Sequence, residues 1–243
     1  MGNQQGLTIM SPPASTGAGG AVPATSNYWR LSKTVTACLA SGRILFLDVG
    51  SDRYLALPMA HNERFLAWVQ SPDDAPPQAC VAILAELGIS AGAAQGAPAT
   101  CSVATPTPVD SPYLARRRVG LGEVINVARS VISARRDVRA RPFADVLARR
   151  FPATARGLNL VPDLQSRLAI FRSARPLVPI RRVCLHDCLA LVDWLGPEAR
   201  GVTLVLGVSA FPFAAHCWLQ AGDLVADDHP ESPSRYAPIL HLP

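Results

Sequence analysis

"VCLHDCLALVDWL", residues 183–195, is the stretch whose reading decides the fold of the second half of this chain. Cys184, Leu185, Cys188, Leu189, Leu191, Val192 and Leu195 recur at helical spacing over so much of the circumference that the helix must be largely buried. The two cysteines lie one turn apart and share a side. Cys184 falls at or near the first turn, where unpaired backbone N–H groups and the positive end of the helix dipole favour a thiolate. Cys188, one turn further in, has nothing to favour its charge. Two expectations compete: two small apolar core residues, or one nucleophile followed by one core residue.

Thirty residues on, "FAAHCWLQAGDLVADD" (213–228) reads as two short strands around Ala221-Gly222-Asp223. Strand alternation puts Ala214, His216 and Trp218 on one face and Ala215, Cys217 and Leu219 on the other. The returning strand brings a carboxylate toward His216. A three-residue loop at 221–223 sets Asp228 opposite it, and a two-residue loop at 221–222 sets Asp227 there. Either carboxylate would fix the imidazole tautomer and leave the other nitrogen for a thiol. A cysteine at a helix start, with a histidine and an aspartate on neighbouring strands, is the logic of papain-type and transglutaminase-type catalysis. The candidate catalytic residues are therefore Cys184, His216 and Asp228, with Asp227 as the alternate acid.

A metal site is the weaker reading. C-x-H-x-C on a helix points His186 away from both cysteines, because residues two apart do not share a face. No metal ligand set is expected, and P-loop, GxSxG and HExxH patterns do not occur.

Outward from this stretch, "GVTLVLGVS" (201–209) is a β run, while "GLGEVINVARSVISARR", "PFADVLARRF" and "PDLQSRLAIFRSA" upstream carry helical periodicity. Helices first and strands last make residues 113–243 an α+β domain. Residues 91–112, rich in Gly, Ala, Pro, Ser and Thr, read as a linker. Residues 27–90 form a smaller unit. Val35–Leu39, a turn at Ser41-Gly42, "RILFLDV" and "RYLAL" around "GSD" predict a hairpin sheet, and "HNERFLAWVQS" and "PPQACVAILAELG" predict two helices after it. That unit holds no cluster of His, Cys or carboxylates, so a binding module is expected there. Residues 1–26 read as a disordered leader without the basic and apolar regions of a secretion signal.

Of 243 residues, 49% are hydrophobic, a globular composition with no apolar run long enough to span a membrane. Cys38, Cys80, Cys101, Cys184, Cys188 and Cys217 form no CxxC pair, and reduced thiols in a cytoplasmic protein are expected. The net charge of +5 is concentrated in "ARRRVG", "SARRDVRARPF" and "LARRFP". A solvated helix face is the expected reading, with a surface for an acidic peptide or a nucleotide as the alternative. No nucleic-acid-binding pattern accompanies the charge, so nucleic acid is not the expected partner.

Taken together, "VCLHDCLALVDWL", "FAAHCWLQAGDLVADD" and the closing "SRYAPIL" resemble the B protein of lasso-peptide biosynthesis, whose C-terminal part is a transglutaminase-like cysteine peptidase. Cys184 matches that family's C-L-x-x-[SC]-L-A-L, His216 its A-H-x-W-[VL], and Asp228 the aspartate about a dozen residues on. Asp227 and Gln220 stand where the family often has Asn and Glu, which leaves the choice of aspartate open. "YWRLSKTV" and "GRILFLDVGSDRYLAL" resemble the PqqD-like element, a small winged-helix-type unit that recognises leader peptides.

The resemblance implies a leader peptidase. The first unit would hold the precursor's leader as an added strand, around Tyr54, Leu55, Leu57, Phe65 and Val69. Cys184 would cut, and the freed core peptide would pass to an asparagine-synthetase-like lasso cyclase. It also implies ATP dependence, for which the sequence holds no nucleotide motif. A transglutaminase-like acyl transferase and a non-catalytic peptide scaffold are the rival expectations.

Overall fold

A computed structural model of the chain describes residues 8–9, 31–70, 77–89, 117–152, 164–221, 224–226 and 233–242. Two compact units emerge, one made of Met1–Cys101 with Ala210–Phe213, the other of Ser102–Ser209 with Ala214–Pro243. The linker, most of the leader and both candidate aspartates, Asp227 and Asp228, lie outside the described residues.

The first unit is built on β2 (Val35–Ala40), β3 (Arg43–Asp48) and β4 (Arg53–Ala56), each antiparallel to the next. Ser41 and Gly42 both take positive φ, 49° and 76°, as the two-residue turn between β2 and β3 requires. Asp48 closes the second turn by accepting from the Gly50 N–H and the Ser51 hydroxyl. A short strand β1 (Thr8–Ile9) pairs in parallel with β4, Thr8 opposite Leu55 and Ile9 opposite Ala56. So two residues within the expected leader are strand, attached to the outer edge of β4.

Helices α1 (Met59–Gln70) and α2 (Gln78–Glu86) follow. Phe65, Trp68, Cys80, Ile83 and Leu84 bury against Ile44, Phe46, Leu55 and Leu57 to make the core. Each such side chain contributes roughly 1.5–3 kcal/mol on leaving water. Polar ties set the angle of α1. Asn62, buried, accepts from the Ile44 N–H and donates to the Gly42 carbonyl, while Arg43 donates to the Leu57 carbonyl.

The second unit opens with α3 (Leu121–Ala140), α4 (Phe143–Arg150) and α5 (Leu164–Ala174). The Glu123 carboxylate accepts the Gly120 N–H and caps α3. Of the apolar residues along α3, Val127, Val131 and Ala134 are buried, while Leu121, Ile125 and Ile132 are exposed. The buried stripe packs along α6 (Cys184–Leu195), in which Cys188, Leu189, Ala190, Leu191 and Leu195 are fully enclosed.

A four-stranded sheet closes the unit, in the order β7-β6-β5-β8, from β5 (Thr203–Ala210), β6 (Phe213–Ala221), β7 (Leu224–Val225) and β8 (Ala237–Leu242). The mixed α+β class thus matches the sequence expectation, with two small, mainly antiparallel sheets. The β8 strand was not expected from sequence. It lies at the edge beside β5, with a register shift between Leu206 and Gly207 that accommodates Pro238.

Candidate active site

Cys184 is the first residue of α6, and the residue before it, Val183, is extended (φ −138°, ψ 125°). The thiol therefore sits at the end where backbone N–H groups lack helical acceptors. It is half-buried and hydrogen-bonded both to His216 of β6 and to the Cys217 thiol. Cys188 is fully enclosed, with its Sγ 3.5 Å from the Cys217 carbonyl and 3.6 Å from the Cys217 Sγ. The two cysteines of the opening helix are thus separated by environment, as their positions on it require.

His216 lies beside two aromatic rings, Trp218 on its own strand at 6.2 Å and Tyr236, just before β8, at 5.2 Å between centroids. Trp218 is buried with Val205 and Val225, and its indole N–H donates to the buried Gln220 Oε1 at 3.1 Å. Gly207 makes room for this arrangement. A Cβ there would come within 2.8 Å of both the Trp218 ring and Tyr236. The buried Gln220 side chain thus holds the Trp218 ring.

The electrostatics of Cys184 oppose one another. The hydrogen bond with Cys217 and then burial push its pKa up, while the hydrogen bond and charge of His216 pull it down. The upward effects win, which favours the neutral thiol of Cys184. His186 faces elsewhere, lowered by burial and then by Arg135 on α3. Among the described residues no group of three or more His, Cys, Asp or Glu side chains is placed to hold a metal ion.

The hairpin after His216 differs from both expected forms. Gln220 pairs with Val225 and Ala221 with Leu224, a register that neither expected loop gives, while 222 and 223 lie outside the described residues. The Ala226 N–H continues that register, donating to the Leu219 carbonyl. Neither of the loops that ranked Asp228 against Asp227 is present, so only the motif resemblance now favours Asp228.

In the first unit, Leu55, Leu57 and Phe65 are completely buried, Tyr54 is 5% exposed, and Val69 packs partly buried on the same core. These are core side chains, and peptide pockets at Leu55, Leu57 or Phe65 would require the core to open. The arginine clusters are partly structural. Arg150 bonds Asp193 twice, at 2.9 and 2.8 Å, and Asp137 at 2.8 Å. Beside them a polar cleft of about 440 Å³ is lined by Arg129, Ser133 and Arg149, among others, and includes neither Cys184 nor His216.

Sequence reasoning had placed Cys217 on the strand face opposite His216 and given it no part in the site. It had not singled out Tyr236, Gly207, Arg175 or Asp187. A signal was available for Cys217, since a residue beside the histidine on a strand packed against α6 has to meet that helix.

Residues 127–241 match a family model described as the transglutaminase-like superfamily. The second unit thus carries a transglutaminase-like superfamily domain, a class of cysteine-protease-like enzymes, which fits peptidase or acyltransferase-like activity. No curated protein and no solved structure matches the chain. No helix among the described residues is long and apolar enough to cross a membrane.

Proposed function

We propose that this chain is a cysteine peptidase that binds the leader of a ribosomally made lasso-peptide precursor and removes it before macrocyclisation by a separate cyclase. The observation that carries the reading is the thiol of Cys184, at the first residue of α6, hydrogen-bonded to His216. The motif resemblance supplies the substrate class.

His216 takes the thiol proton as Cys184 Sγ attacks the scissile carbonyl. Backbone N–H groups at the start of α6 receive the developing oxyanion. The C–N bond then breaks, His216 returns the proton to the leaving amine, and a thioester remains. Water, deprotonated by His216, hydrolyses that thioester and regenerates the thiol. Asp228, or Asp227 in its place, orients the imidazole. The leader adds as a strand to the first unit's sheet. At β4 it has to displace Thr8–Ile9 from two positions. The linker raises the effective concentration of the cut site.

The resemblance also implies ATP dependence. The arginine-lined cleft does not fit a polyphosphate, because Arg150 is committed to Asp137 and Asp193, whose carboxylates would repel phosphate. No step here runs through a nucleotide.

A transglutaminase-like acyl transferase would form the same thioester and differ only in its acceptor. Incubating the full chain with a precursor and weighing the products separates the readings. Hydrolysed leader and free core peptide support the peptidase. Transfer to an added amine in preference to water supports the transferase. Absence of any acyl-enzyme, with binding intact, leaves a scaffold.

A further inference from the structure

The helix that presents Cys184 has no cap of its own. Val183 precedes it, and its side chain makes no cap hydrogen bond to the free N–H groups. A helix start without a side-chain cap is weakly specified by local sequence. Something else makes α6 begin at Cys184.

Behind it lies Arg175, in a short 3-10 turn that follows α5 and is 2% exposed. Its Nε donates to Asp187 Oδ1 at 2.8 Å, and Asp187 stands in the first turn of α6. Its other nitrogens reach the carbonyls of Val178 at 3.5 Å, Ile180 at 3.1 Å and Arg181 at 3.5 Å. One guanidinium therefore gathers the segment that leads into the helix and ties it to the helix itself. Arg182 closes the other side of Asp187, with Nε 3.1 Å from Oδ2. The Asp187 N–H meanwhile donates to the Val183 carbonyl at 2.9 Å, as expected for the first turn of α6.

Stability alone is a poor reason for this cluster. A buried ion pair is often no better than apolar side chains of similar volume, because both charges lose their hydration. What an apolar pair cannot supply is a fork of five N–H donors that fixes three carbonyls and a carboxylate at once.

We propose that Arg175 is a positioning residue for Cys184. Through Asp187 and the carbonyls of 178, 180 and 181 it sets where α6 begins, and so where the thiol and the neighbouring N–H groups stand relative to His216. The cluster also keeps the Asp187 carboxylate neutralised one turn from the nucleophile. The inference rests on Cys184 being the nucleophile of the proposed peptidase.

The test uses the full chain under reducing conditions, with two variants: Arg175→Lys, and the apolar pair Arg175→Met with Asp187→Leu. Three quantities are measured: thermal unfolding, kcat and KM for precursor cleavage, and the pH profile of Cys184 alkylation by iodoacetamide. The apolar pair is expected to unfold cooperatively, with kcat reduced at least about tenfold, KM little changed and a shifted alkylation profile. Arg175→Lys, which keeps the charge but not the fork, should lose kcat to an intermediate degree. Wild-type kcat and alkylation in a folded apolar pair would overturn the proposal. If that pair fails to fold, Arg175→Lys decides alone: a folded variant with wild-type values overturns it, and reduced kcat with a shifted profile supports it. Failure of both to fold also overturns it, since the residue is then structural. If wild-type protein cuts no precursor, the peptidase reading fails, and the alkylation profile still decides the role of Arg175.

Discussion

Leu55 on the first unit's sheet and His216 on the second unit's sheet both sit on short antiparallel strands, and both were singled out from sequence as candidate site residues. Leu55 is completely buried among Phe46, Phe65 and Leu84, whereas His216 is half-buried beside Trp218 and Tyr236 and bonded to a thiol. The first sheet spends its buried side chains on its own core. The second spends Trp218, Gln220 and Gly207 on holding one imidazole. A residue on a strand is thus informative about function when its neighbours are arranged around it, and uninformative when it is arranged around them.

The largest effect that would break this comparison lies in the second unit. Cys184→Ala should lower precursor cleavage by at least about a thousandfold, and His216→Ala by a similar factor, because a nucleophile and its base act as a unit. Cys188→Ala removes an enclosed thiol and should cost stability while leaving cleavage within about threefold. Alkylation gives a finer reading. Cys217→Ala removes the largest influence that raises the Cys184 pKa, so reactivity should begin at lower pH, and His216→Ala should move it higher. Shifts in the same direction for both would mean that the opposition at Cys184 is misassigned.

In the first unit the corresponding change acts on the fold. Leu55→Ala should destabilise by about 2–5 kcal/mol in denaturant unfolding, because the core cannot close over the missing side chain. Its folded fraction should bind leader peptide normally. Removing residues 1–26 should leave the core intact and tighten leader binding by a few-fold if the leader uses β4, since Thr8–Ile9 no longer competes. Unchanged affinity would assign the leader to β2, the other edge. A folded Leu55→Ala that binds no leader would make Leu55 a contact residue.

The contrast also marks what could be read from sequence. Periodicity places β2 to β4, α1 and α2, and α3 to α6, because each has one apolar face or is apolar throughout. The Cys184–His216 pairing was legible because helix position and strand alternation both constrain where a side chain goes. The strand β8 was not, since "APILHL" contains a proline and only its partner β5 makes it a strand. The β6–β7 register was not, since the sequence between them suits more than one loop length, and a shift of one residue changes every cross-strand partner. Arg175 was invisible because its partners are mostly backbone carbonyls, which leave no trace in side-chain patterns.

A smaller effect tests how His216 is held. Gly207→Ala drives a methyl group into Trp218 and the Tyr236 Cβ, where little can yield. Overpacking of this kind should cost about 1–3 kcal/mol. Because those rings lie beside His216, kcat should fall in the folded fraction too. A variant destabilised by that amount with wild-type kcat would show that the rings only fill space.

The smallest effect compares two carboxylates. Burial alone would push Asp48 up, but hydrogen bonds from Ser51 and Thr34 and the N–H of Gly50 outweigh it, and its pKa is lowered. Burial would likewise raise Asp137, but the hydrogen bond and charge of Arg150, then Arg141 and Arg149, hold it below the usual carboxylate range. Arg150 is itself nearly enclosed, its side chain 6% exposed, so its bond to Asp137 is made out of water's reach. A depressed carboxylate contributes stability that is complete above its unfolded pKa of about 3.9 and disappears as pH falls through the folded value. Asp137→Asn should therefore cost about 1 kcal/mol at pH 7, since Arg150 keeps Asp193. The gap to wild type should hold down to about pH 5 and then narrow below about pH 4, as the wild-type carboxyl protonates and the two proteins converge. Asp48→Asn, in an exposed turn with uncharged donors, should cost less at pH 7. A gap for Asp137→Asn that stays constant from neutral pH to strongly acidic solution would mean that the amide disturbs packing, and that the Arg150 bond contributes nothing through its charge.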